Sequence, residues 1–495
     1  MTNPFRIGQV GRHGLVYTAG VVLNRAVSLV MLPIYTRFLT PADYGVLQLI
    51  EMSLDLIAIL FGSHLGAGIF RLYQKTDVPA ERAAVVSTAF GVVTVAYAAA
   101  GAAAYMAAPW ISQVLFGSDG RADLVRLASA TLAMQGLVLV PLSYLQLLKR
   151  PATYVAANAA KLVIQLTMNI ALVVVVGMGP RGVLLGNLVA NLALAGVLSV
   201  MLLRSAGPRM SADVARALLR FGLPFIATQV ASFAVTHGDR FFLQRQYGET
   251  SVGIYALAYQ FGVLLARLGY APFAAAWEPT RFEVASRPDR DQIYSRTFLY
   301  LNVYLCTLAV AVSLFAGDLL RVVAAPAFHA AGALVPLIAL AYVFYGWTGF
   351  LNLGILMRER TELVTAATWV AAAVALAGYV VLIPPFGRWG AAVATVVAYA
   401  VRAGAVYALA QRTWAVRYDW PPVARLLGIT IVTGSLGMVA ARAPLLASIG
   451  LHLGLLATYA GAVWGLGVLS PADRLALRTS VRSPASAVAV ILGRS

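Results

Sequence analysis

Charge is scarce in this chain, and acidic charge scarcest: 19 Asp and Glu stand against 37 Lys and Arg in 495 residues, and charged residues make up only 11%. Soluble domains carry about a quarter of their residues charged, so water is not the solvent around most of this one. Cysteine is rarer still. With Cys306 alone, an internal disulfide and a cysteine-ligated metal cluster are excluded. The five histidines, His13, His64, His237, His329 and His452, are scattered and suggest no metal site. No Walker lysine loop, G-x-S-x-G or H-E-x-x-H occurs. Nor is there a hydrophilic stretch long enough to fold as a catalytic domain, which speaks against a membrane-embedded glycosyltransferase. Nothing in the chain reads as an enzyme, and no cofactor is expected.

What is present is apolar length. Hydrophobic residues make up 60% of the chain, in repeated runs of about 20, the number an α-helix needs to cross roughly 30 Å of hydrocarbon. Fourteen such runs are expected to span: 14–36, 43–69, 84–108, 124–148, 152–176, 182–203, 222–244, 251–276, 294–316, 330–356, 361–383, 390–411, 423–443 and 447–469. The first carries Asn24 and Arg25 and lacks a small-residue cleavage site, so it reads as a retained helix and not a signal peptide. The expected fold is an all-α polytopic membrane protein.

A net charge of +18 suggests nucleic acid until its location is considered. Of the 37 basic residues, 24 fall before the first span, in every second loop and in the tail, and about eight in the opposite loops. That is the positive-inside bias; it puts both termini in the cytoplasm and leaves no nucleic-acid partner to invoke.

Sliding the sequence on itself by 208 residues aligns Arg12, Gly14, Arg37, Gly45 and Arg150 with Arg220, Gly222, Arg245, Gly253 and Arg358, and Gly179, Gly182 and Gly196 with Gly387, Gly390 and Gly404. The shift covers six spans, so the halves have parallel topology related by a pseudo-two-fold axis along the membrane normal. The expected organisation is a six-helix lobe at 1–203, a cytoplasmic linker at 204–221, a second lobe at 222–411, two additional helices at 412–469 and a cytoplasmic tail at 470–495. The repeat also disposes of GMGPRG at 177–182, a G-x-G-x-x-G in form only: no strand precedes it, and FGRWG stands at the same place in the other half, so both read as tight turns between helices.

Polar residues inside the spans are costly enough that each needs a reason. At ~1.5 Å per residue, Arg25 lies about 16 Å into its span, and Glu51 and Asp55 about 12 and 18 Å into theirs, all near the midplane. Glu51 and Asp55 share a face with Gln48. Asn158, Lys161, Gln165 and Asn169 follow at steps of three and four along one face of the fifth span; Asn187 and Asn191 lie one turn apart on the sixth. In the second half, Gln229, Ser232, Thr236 and Asp239, then Arg240, mark span seven, and Tyr259, Arg267 and Tyr270 span eight. Each group has an alternative. Arg25 with either acid is a tether or part of a cavity; Asp239–Arg240 is a local ion pair, a snorkelling pair or a coupling site; the tyrosines pack or line; Asn187 and Asn191 join helices or meet a ligand. Arg402 has no polar stripe around it. GSHLGAG at 62–68 weakens the inner part of span two as a hinge or as a close contact.

Three stretches resemble a known family. RFLTPADYG at 37–45, with Arg37, Asp43 and Gly45, is similar to the signature that follows the first span of bacterial polysaccharide transporters, the O-antigen flippase type of the multidrug/oligosaccharidyl-lipid/polysaccharide exporter superfamily. GAGIFRLY at 66–73, with Arg71, resembles that family's end of span two. GDRFFLQRQYGETSVGIYALAY at 238–259, with Asp239, Arg240 and Gly253, resembles its junction of spans seven and eight.

The resemblance implies two lobes forming a V around a central cavity open to one side at a time, in the cell inner membrane. The implied cargo is an oligosaccharide on undecaprenyl pyrophosphate, for O-antigen, capsule or exopolysaccharide, with glycosyltransferases and a polymerase as partners besides membrane lipids. Arg25, Lys161 and Arg267 suit a diphosphate, with Asn24, Asn158, Gln165, Tyr259 and Tyr270 as further cavity candidates. Glu51, Asp55 and Asp239 are unexpected beside an anionic cargo; they are candidates for proton or sodium coupling. The rivals are a peptidoglycan lipid-precursor flippase, with the same fourteen spans, and a cation-coupled multidrug exporter, expected to have twelve spans and an acidic cavity.

Overall fold

The computed structural model describes residues 31, 33–62, 65–471 and 474. Among them no strand occurs, and 11 helices are long and apolar enough to cross a membrane. Two of these are too long for one crossing: Ala212–Ala285 has 74 residues and Glu362–Thr413 has 52. Each contains a glycine in the left-handed region, Gly248 (φ 71°) and Gly387 (φ 53°), where the helix axis reverses. Beyond Gly387 the chain returns so closely that a Cβ on Gly390 would strike the Leu382 carbonyl. Across Gly248, Tyr255 reaches back to Asp239. Each therefore contributes two spans, and the described helices account for thirteen of the fourteen expected; the other, 14–36, lies outside the described residues save its last few.

Helix starts follow from proline placement. Proline occupies the first turn of Pro41–Phe61, Pro79–Met106, Pro151–Asn169, Gly179–Ala206 and Trp420–Ala440, where its missing N–H has no intrahelical partner to lose. At Pro41–Phe61 the start is reinforced: the Asp43 N–H donates to Thr40 Oγ1 at 3.1 Å and the Thr40 N–H to Asp43 Oδ2 at 3.0 Å, a reciprocal cap. This helix stops at Gly62 (φ 108°), and a new one runs from Leu65 to Tyr73, so the glycine-rich run interrupts span two. It also packs closely, Gly68 facing Leu218 and Phe221. Gly177 and Gly179 (φ 74° and 54°) make the tight turn at GMGPRG.

Two compact units result. The first comprises the chain to Phe233 with Tyr247–Gly253, the second Ala234–Gln246 with everything from Ile254. In the first, small residues let helices approach: Gly101 meets Ala133 and Ser129, Gly136 meets Tyr97 and Thr94, and Gly182 and Gly186 meet Leu172 and Asn169. In the second, one end is filled by aromatic rings, with Trp277, Phe298, Trp347, Phe350, Tyr418 and Trp420 in successive contact.

Candidate functional site

Four helices of the first unit enclose a polar cavity of about 240 Å³. Pro41–Phe61 contributes Glu51 and Asp55, Ala122–Leu147 contributes Thr131 and Gln135, Pro151–Asn169 contributes Lys161 and Gln165, and Gly179–Ala206 contributes Asn187 and Asn191. Helical periodicity does the gathering. Residues three or four apart share a face, so the stripes on spans two, five and six converge where those helices pack. The approach at Gly182 and Gly186 brings the last two helices close enough for Gln165 Nε2 to donate to Asn187 Oδ1 at 2.6 Å. Asn187 thus both joins helices and lines the cavity.

Within the described residues the wall keeps charged and polar groups without close partners. Among the described residues Glu51, Asp55 and Lys161 take part in no ion pair, and Glu51 receives only a long hydrogen bond, 3.4 Å, from Gln48. Asn191 is 4% exposed; its Nδ2 donates to the Asn187 carbonyl at 2.8 Å while its Oδ1 is buried without a partner. Asn158, on the same stripe as Lys161, turns its amide to the carbonyl of Tyr154 and is not in the cavity wall. Asn169 donates to the Tyr35 hydroxyl. Asn24 and Arg25 lie outside the described residues.

The second unit has a different interior. Asp239 is 0% and Arg240 1% exposed, which makes them a sealed local pair, not a snorkelling one. Arg240 Nη1 donates to Asp239 Oδ1 at 2.8 Å and to the Thr236 carbonyl at 2.9 Å; Tyr255 donates to Asp239 Oδ2 at 2.6 Å, with Thr395 at 3.4 Å. The guanidinium lies 4.0 Å from the Tyr259 ring centroid and 5.2 Å from that of Tyr255. Tyr259 is accordingly a packing residue, 2% exposed, against the expectation that it lines a cavity. Tyr270 packs edge-on against Tyr345 and presses its hydroxyl on Gly349. Arg267 is exposed, on a short π-helical segment, Leu265–Tyr270. Arg402 has a buried Nε without a hydrogen-bond partner.

The 208-residue shift sharpens the contrast. Glu51, Asn187 and Asn191 of the cavity correspond to Tyr259, Thr395 and Tyr399, all buried. Where the first unit keeps a polar hollow, the second has tyrosines packed around an ion pair.

The family-motif residues do structural work. Asp43 caps a helix; Gly45 and Gly253 meet backbone to backbone; Arg71 lies over the Phe221 ring at 5.2 Å; Arg37 is exposed. Sequence reading missed Thr131 and Gln135, uncharged residues one turn apart on Ala122–Leu147. It also missed Asp318, Ser448 and His452. Ser448 donates to Asp318 Oδ1 at 2.7 Å, while His452 Nδ1 meets Asp318 Oδ2 at 2.6 Å and Nε2 the Gly437 carbonyl at 3.1 Å. These are hydrolase residue types wired otherwise, since the hydroxyl is spent on the carboxylate and all three are buried. They fasten Leu445–Gly465 to Arg290–Val323.

Among curated proteins no sequence matches the chain. Solved structures match in fold. Lipid II flippase MurJ in an inward closed conformation aligns at TM-score 0.71 and 12% identity, over 90% of this chain and 98% of that one. An inward-facing multidrug resistance MATE family transporter of the MOP superfamily aligns at 0.63 and 16%, over 79% and 94%. A MOP superfamily transporter from Pyrococcus furiosus, described as having a binding pocket of reverse polarity, aligns at 0.54 and 13%, over 80% and 92%. The family model for polysaccharide biosynthesis proteins matches residues 34–330, more than half the chain, which establishes that the protein belongs to that family.

Proposed function

We propose that the chain flips undecaprenyl-pyrophosphate-linked oligosaccharide across the cell inner membrane by alternating access, both termini in the cytoplasm. The observation that carries this reading is the hollow of the first unit: Lys161, in no ion pair among the described residues, stands among amides and carboxylates inside a body otherwise built for hydrocarbon. A charged side chain at bilayer depth costs roughly 2.5–3.5 kcal/mol on insertion scales, so it needs a polar partner. A diphosphate with attached sugars supplies one. Arg25 and Lys161 are the proposed diphosphate ligands of the first unit, Arg267 a proposed cargo-binding cation of the second, and Asp55 the carboxylate that couples transport to a proton or sodium gradient. The likeness in fold to a lipid II flippase supports a second reading, a peptidoglycan lipid precursor as cargo.

The test is surface polysaccharide in cells whose only copy is a variant. Arg25→Ala, Lys161→Ala and Arg267→Ala are each expected to lower it at least tenfold while the protein still reaches the membrane, and Arg25→Lys to restore it only in part, since lysine keeps the charge and loses the bidentate fork. Normal polysaccharide in well-expressed Arg25→Ala and Lys161→Ala strains overturns the assignment. Rescue of a peptidoglycan-precursor flippase depletion, without any effect on surface polysaccharide, favours the second reading.

A further inference from the structure

We propose that the second unit carries a binding site for the headgroup of an anionic membrane phospholipid, set between the starts of Arg290–Val323 and Trp420–Ala440 and the end of Leu445–Gly465. These elements frame a pocket of about 810 Å³. The frame is tied by the chain's own bonds. The Asp419 N–H donates to Ser295 Oγ at 2.8 Å, which fastens the turn before Trp420–Ala440 to Arg290–Val323. Arg425 Nη1 donates to the Gly467 carbonyl at 3.2 Å, which holds Trp420–Ala440 to the segment that follows Leu445–Gly465. Pro421 and Pro422 stiffen the rim between those two ties.

The sign of the lining selects an anion. Arg296, Arg417 and Arg425 come to it from three different elements, and all three are exposed. The acids of the wall are Asp291, which has Arg290 Nε 3.5 Å from its Oδ1, and Asp419 at the rim. With Arg290 included, arginines outnumber acids by four to two. Outside the described residues Asp473 is the only acidic side chain, so the balance stays positive whatever they add. Depth then decides which anion. Tyr418 lines the pocket with Trp420 beside it, and Arg290 lies 4.3 Å from the ring centroid of Trp414. Tryptophan and tyrosine gather where hydrocarbon meets headgroups, and the basic loops mark this end as the cytoplasmic one. Leu299 and Val468 give the pocket an apolar side for the ester end of a lipid, which a free phosphate would leave unused. Basic pockets between membrane helices at this level take lipid headgroups. Arginine forks suit the phosphate, and Asp419 can accept from headgroup hydroxyls, so a phosphoglycerol headgroup uses both.

The experiment uses the full chain in detergent micelles holding phosphatidylglycerol and phosphatidylcholine in equal amounts, with bound lipid counted by native mass spectrometry. The wild-type chain is expected to retain phosphatidylglycerol about tenfold or more over phosphatidylcholine. Arg417→Gln, at an exposed position outside any helix, should lower that ratio roughly fivefold, the factor that about 1 kcal/mol per basic residue beside an anionic surface gives. Arg417→Gln with Arg425→Gln should abolish the preference; should that pair misfold, Arg417→Lys, which keeps the charge and loses the fork, should fall between wild type and Arg417→Gln. Arg358→Gln, at an exposed arginine on the same side that is not in the lining, should leave the ratio unchanged. Inorganic phosphate at millimolar concentration should not release the lipid. No preference in the wild-type chain, a preference that survives the pocket variants, or an equal loss in Arg358→Gln overturns the inference. Release by inorganic phosphate makes the pocket a soluble-anion site and overturns the lipid assignment. None of these readouts requires transport, so each stands whether or not the chain is a flippase.

Discussion

At the scale of single residues, Asp239 and Arg240 hold opposite charges where neither meets solvent. Bringing both into a low dielectric is costly, and the pair offsets that cost because both carboxylate oxygens accept hydrogen bonds and Arg240 Nη1 donates to Asp239 and to the Thr236 carbonyl, with the rings of Tyr255 and Tyr259 beside a guanidinium whose Nε is left without a partner. Removing one partner strands the other, a loss of about 3–5 kcal/mol, whereas replacing both leaves no stranded charge. Asp239→Asn and Arg240→Met are therefore each expected to lower the apparent Tm in detergent by roughly 5 °C or more. The double variant is expected to lie nearer wild type than the sum of the two, a coupling that a double-mutant cycle measures directly. Additive shifts would show that the two residues do not act as a unit. The same geometry separates the three acids that the sequence alone presents alike. Asp239 is reached only by displacing Arg240 or Tyr255, while Glu51 and Asp55 are exposed to the cavity. Hydropathy registers an acid within an apolar run; it does not register that a tyrosine sixteen positions later will fold back and close over it. Tyr259 failed as a cavity residue for the same reason, because a tyrosine packs or lines with equal ease and only its neighbours decide.

At the scale of elements, the legible part was whatever repeats along a helix. Spans two, five and six delivered their polar stripes to one cavity because a period of 3.6 residues fixes which side chains share a face. The stripe on span five over-reached at Asn158, since periodicity gives a face and not a partner, and Thr131 and Gln135 of helix Ala122–Leu147 were missed although they too lie one turn apart on one face. The Asp318–His452 contact joins residues 134 positions apart, beyond any local pattern. The family glycines are read best as a contact. A Cβ on Gly45 would meet the Glu249 carbonyl, and a Cβ on Gly253 the Pro41 carbonyl; each glycine thus faces the residue four places before the other, and backbone cannot move aside as a side chain can. Helix propensity alone favours alanine over glycine by up to about 1 kcal/mol, but forced overpacking costs about 1–3 kcal/mol, so the sign is destabilising. Gly45→Ala and Gly253→Ala should lower the apparent Tm by similar amounts, and the double variant by less than their sum, because one separation of backbones relieves both clashes. Unchanged or raised Tm in either single variant would show that the contact yields.

At the scale of the whole molecule, hydropathy made the fold class readable and placed the thirteen spans that fall within the described residues, because both follow from the thickness of a bilayer, which leaves its mark all along the chain. What the repeat could not disclose was that the halves had parted in use. The positions equivalent to Glu51, Asn187 and Asn191 are the buried Tyr259, Thr395 and Tyr399, so that hollow was not duplicated with the helices around it. Valency is where this tells. Cooperativity requires two sites whose occupancies inform each other, and a duplicated protein with two equivalent hollows would offer them; here a ligand of the cavity has one place per polypeptide. Calorimetric titration of a short-chain lipid diphosphate sugar into the micelle-held chain should saturate at one equivalent along a simple hyperbola, with two equivalents or a sigmoid as the contrary result. Symmetry of sequence, in this protein, does not become symmetry of stoichiometry.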